Sequence, residues 1–476
     1  MNDQNKHNNS YELPKKFIWT IDIVLSVRDF IGLQSIKSLM LILFFLAFTK
    51  CSVNLKTFPQ LIDHQNPDLG TFDQYYYEVD DYFDPEKGTV ILKLGAESPS
   101  LEPSGVNDWM KDLAKRFHSK VITIQHRFFG NSQPFDNTKT ESLKYLAVDQ
   151  ALEDYSYFYD YYVKVLYPEE KIHPWLIVGG SYPGLLSALA RKRYPDKFTA
   201  AYSSAGVVMA SSDLTEFDLQ DAISMGQECA AVSRDVRRKI DEMYVSDKEY
   251  LYQMMGWPED FDEFNVMYVT GELFTLSLQY AHLDKLCGPL VDAHKKGDDL
   301  LMAFSKYAKN FFYPTFGDPA AYSTSYMKDT TATNKSASRC WLWMTCNELG
   351  YWQYSPGRVG IRSQKLNSKE PFLKQCKDVF GIDMDPDTDG FNKKNGGLKQ
   401  DSTNVIFTTG SQDPWNCACV TEENVMNNNW AHTIIGKEIG HHVDFNSPRE
   451  DDPIDLKRTR AHIINLLDQW LAVKNQ

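Results

Sequence analysis

"VGGSYPG", Val178 to Gly184, leads out of the apolar stretch "WLIV" and straight into a helical one, "LLSALARKR". A serine lifted clear of a sheet on a sharp strand-to-helix bend is normally framed as Gly-x-Ser-x-Gly. Here Pro183 stands at the second glycine position and Gly184 comes one place late. Proline is compatible with such a bend, because the first helical turn has orphan N–H groups and suits proline's fixed φ. Two glycines before the serine permit backbone angles and close packing that other residues resist. Gly180 and Gly184 are expected to hold the helix start against the sheet. Ser181 is therefore a candidate nucleophile on a variant bend, provided the chain supplies its partners.

Outward from this bend, short apolar runs alternate with helical patterns: "GTVILKLG", "KVITIQHRFFG", "HPWLIVGGS" and "KFTAAYSSAGVV". Continuous β-branched runs bounded by Gly or Pro suit strands buried on both faces of a parallel sheet, with crossover helices between them. "LKYLAVDQALEDYSYFYDYYV" and "YPGLLSALARKRYPD" supply helices, the second with Leu185, Leu186 and Leu189 on one face and basic residues in its last turn. From residue 211 to residue 396 helical spacing takes over and strand signals fade. "TNVIFTTG", "AHTIIG" and "LKRTRAHIINLLDQWLAV" then resume the first grammar. The predicted fold class is α/β, one sheet interrupted by a large, mostly helical cap. Its expected parts are a leader over 1–53, a first sheet part over 54–210, the cap over 211–396 and a second sheet part over 397–476.

A serine needs a base to take its proton, and the base needs a carboxylate to hold its tautomer. In sheets of this kind the order is Ser, Asp, His, each just past the C-terminal end of a strand. "VIFTTGSQDPW" places Asp413 there, and "HTIIGKEIGHHVDF" places His441 and His442 beyond the next strand; between these two the residues alone do not choose. Asp401 precedes its strand and so lies at the wrong end. His126, in "QHRFFG", follows an early strand and reads as a structural hydrogen-bonding residue. Two preorganised N–H donors are required for the oxyanion. They are expected at Tyr182, next to the serine, and at Ala96 in "LKLGAESP", with Gly95 as the flexible residue before it.

Composition narrows the class of function. The formal charge of −14 over 476 residues argues against a nucleic-acid partner, since such proteins recruit phosphates with surplus Lys and Arg. "LMLILFFLAF", Leu39 to Phe48, is far shorter than the roughly 20 residues a membrane-crossing helix needs and matches the core of a secretory signal. With 38 residues ahead of it, the alternative is an uncleaved anchor extended by "FIWTIDIVLSV". Export makes the eight cysteines candidate disulfides. Cys51 leaves with the signal, and one of the other seven stays unpaired or pairs outside the chain. No Cys/His spacing suggests a zinc site, and no cofactor is expected. "DMDPDTDGFNKKNGG" has Asp385, Asp387, Asp389 and Gly390 spaced as in a calcium loop, but Gly396 stands where a bidentate Glu belongs, so an acidic surface loop is expected. Asn334, in "NKS", is a glycosylation acceptor on a polar loop.

The set "VGGSYPGLLSALARKRYPD", "IQHRFFGNSQP", "YLAVDQALED", "WLWMTCNELGYWQYS", "TTGSQDPWN" and "GHHVDF" resembles the S28 serine peptidases, in the same order from about Phe58 to Trp470. The resemblance implies an α/β-hydrolase sheet with a helical cap, and an exopeptidase that cleaves beside proline near a peptide terminus, often at acidic pH. It implies Ser181 as nucleophile, Asp413 as orienting acid and, of the adjacent pair, His441 as base. It also implies Trp415 as a wall of the proline pocket and a Cys346–Cys376 disulfide in the cap. The route is the secretory pathway, to a lysosome or vacuole, to the exterior, or to a membrane held by the N-terminal segment. Partners are proline-containing peptides; oligomeric state stays open, a homodimer being one candidate. This chain departs from the family at "GAESP", where the pattern is Gly-Gly-Glu-Gly-Pro, at Pro183, and at Asn446, where carboxypeptidase-like members often carry Arg. Direction of attack, carboxypeptidase or dipeptidyl peptidase, is not legible. An esterase or lipase on the same fold, and a silent binding protein, are the competing readings.

Overall fold

The computed structural model describes residues 54–101, 106–333 and 335–472. Eight strands form one mixed sheet: β1 (Asn54–Leu61), β2 (Thr71–Val79), β3 (Val90–Leu94), β4 (Lys120–Ile124), β5 (Trp175–Gly180), β6 (Ala200–Ser204), β7 (Val405–Gly410) and β8 (Trp430–Ile434). Their spatial order is β1-β2-β4-β3-β5-β6-β7-β8. β1 and β2 form an antiparallel hairpin, β2 lies antiparallel to β4, and every later pairing is parallel. This is the α/β-hydrolase sheet. The six strands expected from the apolar runs are all present. The hairpin went unread, although "TFDQYYYEV" in β2 alternates between exposed and buried positions along most of its length, as a strand with one covered face does.

Alternation along the central strands sends side chains into two cores. On one face Leu92, Ile122, Ile177 and Phe407 pack against α2 (Val148–Tyr161) and α3 (Tyr182–Arg193). On the other, Ile91, Val121, Val178 and Ile406 meet α1 (Asp108–Phe117) and α7 (Ile454–Trp470). α1 starts where Asn107 caps the Met110 N–H and ends at His118 in the left-handed region, with Lys115 and Arg116 in its last turn. In α3 every residue from Tyr182 to Arg191 is buried, so the expected single apolar face is instead a helix enclosed all round.

Between β6 and β7, which are sheet neighbours, the chain runs almost entirely as helices. The longest are α4 (Thr215–Ser246), broken at Gly226, α5 (Glu263–Gln279) and α6 (Leu283–Lys296). They enclose a third core around Leu251, Leu273, Phe274, Leu290 and Phe304. Cys229 in α4 is bonded to Cys287 in α6, and Cys346 to Cys376. Cys340, Cys417 and Cys419 are unpaired, three thiols where the odd count required only one. The calcium-like stretch is not a loop throughout: Asp387 caps a helix over Thr388–Asn395 and Asp385 pairs with Lys369. The leader, its signal or anchor, Cys51 and Asn334 lie outside the described residues. Among those described, no helix is long and apolar enough to cross a membrane.

The hairpin is joined to the sheet by a buried charge pair. The Arg127 Nε donates to Asp154 Oδ2 at 2.7 Å, and its other nitrogens donate to the carbonyls of Leu61, Ile62 and Tyr145 at 3.0 Å. His64 Nε2 meets the same carboxylate at 2.7 Å. With Arg127 and Asp154 both essentially excluded from water, removing the negative partner strands a buried cation. Asp154→Asn is expected to lower stability by about 3 kcal/mol, read as a lower urea midpoint at unchanged slope; an unchanged midpoint would show that the pair contributes nothing.

Candidate active site

The strand-to-helix bend forces the geometry of Ser181, which sits at φ 63, ψ −130, a strained conformation for a residue with a side chain. The Ser181 N–H donates to the Ser204 carbonyl at 2.9 Å, and its own carbonyl accepts from Gly184 at 2.8 Å. The bend is tight because glycines let backbones meet. A Cβ on Gly179 would fall 2.1 Å from the Pro183 carbonyl oxygen, and one on Gly184 would fall 2.7 Å from Gly206 Cα. Gly180 is less confined, its nearest contact being the His442 Cβ at 3.3 Å. Gly179, rather than Gly180, is therefore the partner of Gly184 in holding α3 to the sheet. Pro183 lies in the first turn of α3, as its fixed φ allows.

Asp413 and His441 come together from the loops after β7 and β8. His441 Nδ1 lies 2.7 Å from Asp413 Oδ2, and both side chains are fully buried. Asp413 is fixed in turn because its other oxygen caps the Trp415 N–H at 3.0 Å. The bond to Asp413 puts the imidazole proton on Nδ1. Nε2 is then left as a buried acceptor, and it has no hydrogen-bond partner among the described residues. A buried polar atom in that state is uncommon, and no hydrogen bond joins it to the Ser181 hydroxyl.

The histidine loop is anchored on both sides. The His441 N–H donates to the Gln279 carbonyl, at the end of α5, at 2.8 Å. Three residues on, buried Asp444 accepts from Ser204 Oγ at 2.5 Å, from Thr408 Oγ1 at 2.6 Å and from the Tyr202 hydroxyl. β6 and β7 thus hold the loop that carries the imidazole. His442 takes the left-handed conformation, and burial beside His441 pushes its pKa down to about 3.

Ser181 opens into a cavity of about 480 Å³ between the strand ends and the helical insertion. Ala96 and Trp415 line it, as do Phe217, Tyr280, Trp341 and Tyr351. Trp415 packs edge-on to Phe217 and Tyr351, and its Nε1 donates to Gln279 Oε1 at 3.2 Å. Tyr182 is the first residue of α3, so its N–H is one of the helix's unsatisfied donors. Gly95 is confined rather than flexible: a Cβ there would meet the Ile124 carbonyl at 2.7 Å, and its φ is not positive. Glu97, next to Ala96, also faces the cavity, and burial raises its pKa to about 7.

The competing residues lie elsewhere. His126 is held between the Arg127 carbonyl at 2.8 Å and the Tyr182 hydroxyl at 3.1 Å, and burial pushes its pKa down to about 4. Asp401 pairs with Lys192. Asn446 lines a separate cavity across His442. No group of three or more His, Cys, Asp or Glu among the described residues is placed to hold a metal ion. Glu97, Gln279, Asp444 and the aromatic side chains other than Trp415 escaped the reading of the sequence, whereas His442 was named there as the alternative base.

Compared with known proteins, residues 60–463 match the family model for serine carboxypeptidase S28. "Probable serine protease EDA2" of Arabidopsis thaliana is 33% identical over 437 residues, covering 87% of this chain and 88% of that protein. The lysosomal Pro-X carboxypeptidase of Homo sapiens is 24% identical over 460 residues, 87% of each chain. A solved structure, the proline iminopeptidase of Mycobacterium smegmatis, overlays on 88% of this chain and 99% of its own at 11% identity and a TM-score of 0.37.

The contacts at the bend separate two substitutions that look alike. Gly179→Ala drives a Cβ into a backbone carbonyl and is expected to cost at least about 2 kcal/mol. Gly180→Ala, which meets only a side chain at contact distance, is expected to stay within about 1 kcal/mol of the parent. Chemical unfolding of the two variants checks the order, and equal losses would refute this account of the bend.

Proposed function

The chain belongs to the serine carboxypeptidase S28 family of peptide hydrolases, and on that premise we propose that it is an exopeptidase cleaving beside proline through an acyl-enzyme. Ser181 is the nucleophile, His441 the general base and Asp413 the acid that orients it. The observation that carries this reading is the Asp413–His441 bond of 2.7 Å with Nε2 of the same ring buried and unpartnered. Ser181 Oγ gives its proton to Nε2 as it attacks the scissile carbonyl carbon. The N–H groups of Tyr182 and Ala96 receive the oxyanion, and the imidazolium returns the proton to the leaving amine. Water then repeats the sequence in reverse to free Ser181.

Proline fits the aromatic wall because it offers an apolar ring and no N–H to satisfy. Trp415, with Phe217 and Tyr351 against it, is the surface for that ring. The helical insertion over 211–396 acts as the cap that limits access to chain ends. Two disulfides and an apolar N-terminal run suit the secretory route, and the lysosomal relatives suit an acidic destination. Fluorogenic Pro-Phe C-terminal and Xaa-Pro N-terminal peptides, assayed from pH 4 to 8, test the reading. Turnover of at least one is expected, with a loss of about 10⁴-fold or more in Ser181→Ala and loss of fluorophosphonate labelling in the same variant. Preference for short acyl esters over every peptide would move the assignment to an esterase, and an unlabelled wild-type protein to a binding role.

Buried acids support the acidic setting independently. Burial raises Glu97 and Glu348 from 4.5 to about 7, and Asp218 from 3.8 to about 6. Each binds a proton more readily folded than unfolded, so each adds stability that is complete below its unfolded pKa and is lost as pH rises through the folded one. His126 and His442 act in the opposite sense, withdrawing stability as pH falls below 6.5. Of these five groups, the three carboxyls outweigh the two imidazoles between pH 7.5 and 5.5; below about 4.5 the two glutamates add nothing further and the imidazoles outweigh Asp218, which acts only down to its unfolded value of 3.8. The melting temperature is expected to rise from pH 7.5 to 5.5 and to fall below pH 4.5, with a smaller rise in Glu97→Gln. A monotonic fall on acidification would contradict this balance.

A further inference from the structure

Across His442 from the cavity that holds Ser181 lies a second one, of about 390 Å³. Ala96, Gly180 and His442 line both, so the two share a wall at the strand ends beside the bend. The second cavity has a cation on its floor. Lys93 is the fourth residue of β3, on the face where Ile91 is buried in the α1/α7 core, and a strand covered on both faces is apolar there as a rule. Lys93 is itself partly buried; no carboxylate among the described residues forms an ion pair with it, and desolvation draws its pKa down. A buried charge left unpaired is costly and is usually neutralised or partnered.

The neighbouring strand repeats the pattern. Thr123 of β4 is directly opposite Lys93 in the parallel register, lines the same cavity, and is 4% exposed. Its Oγ1 is buried without a hydrogen-bond partner. A cation with no ion pair and a hydroxyl with no hydrogen-bond partner among the described residues therefore stand opposite each other on neighbouring strands that line one space. Ser98 and Asn446 add polar groups at its rim, and no acid lines it among the described residues. A carboxylate accepts from both donors at once and offsets the charge.

We propose that Lys93 and Thr123 form a carboxylate subsite that receives the free C-terminus of the peptide whose acyl part lies against Trp415. This assignment rests on the peptidase reading above and gives it a direction: the chain end recognised is the carboxyl end. A sheet position that packing would fill with an aliphatic residue carries a lysine because the substrate completes its pairing.

Binding to the Ser181→Ala protein tests the subsite without turnover. N-acetyl-Ala-Pro-Phe as the free acid and as its C-terminal amide are titrated by calorimetry at pH 5.5. The acid is expected to bind about tenfold or more tightly than the amide. Lys93→Met in the same background brings the acid down to the level of the amide and leaves the amide unchanged. Because that variant removes a partly buried charge that has no ion pair among the described residues, its melting temperature stays at or above the parent's, which separates lost recognition from misfolding. Equal affinity for acid and amide, or an acid preference that survives Lys93→Met, overturns the subsite. Binding of acetate or phosphate without any acid preference in the peptide assigns the cavity to a free small anion and overturns the substrate role. Wild-type hydrolysis of the acid is followed in parallel: hydrolysis with no acid preference sinks the subsite alone, whereas absence of hydrolysis sinks the peptidase reading.

Discussion

At Gly179 the Cα hydrogen faces the Pro183 carbonyl across a gap that no carbon substituent can enter. That contact fixes how close α3 comes to β5, and with Gly184 against Gly206 it leaves the intervening chain a single route. The route passes through the left half of conformational space at Ser181, and the strain of that residue is sustained by the burial of the helix behind it. Everything that surrounds the serine is positioned relative to this crossing. Pro183 is accommodated in the first turn of α3, where its fixed φ suits the helix and its missing N–H leaves no donor unpaired, while its carbonyl makes the tight contact.

Polar groups do the remaining positioning, in each case by tying a loop to a strand. Asp444 collects three hydroxyls from β6 and β7 and thereby places the loop that ends in His441. Arg127 spends its donors on Asp154 and on carbonyls of the hairpin end, and His126 beside it steadies the Tyr182 ring. The bonds to Asp444 and Asp154 and that between His126 and Tyr182 are buried, so each is stronger than at the surface and costly to leave half made. The "HRFFG", "ALED" and "VDF" stretches are thus accounted for as scaffolding, distinct from the chemistry they support.

The parallel strands were legible because each is a run of β-branched residues closed by glycine or proline, and the positions of Ser181, Asp413 and the His441–His442 pair because each follows such a run; the choice of His441 within the pair came from the family resemblance alone. The β1–β2 hairpin was missed since one of its faces is wet, and its alternating pattern carries less contrast than a continuous apolar run. Glycines misled in a particular way. Sequence shows that Gly179, Gly180 and Gly184 are small but not which of them another backbone approaches, and Gly95 was read as flexible although the Ile124 carbonyl crowds it. The aromatic wall draws Phe217, Trp341, Tyr351 and Trp415 from segments far apart in the chain, and no local pattern announces a convergence set by tertiary packing. Lys93 is the reverse case. It was in plain view inside "VILKLG", but its lack of a partner is a property of the space around it.

β6 and β7 lie side by side, yet about 200 residues separate Ser204 from Val405. During synthesis Ser181 emerges long before Asp413 and His441, and the seam between these two strands can close only when the final stretch has emerged. The last sixth of the chain therefore both completes the sheet and delivers the Asp413–His441 pair, so the proposed chemistry cannot assemble before the sheet does.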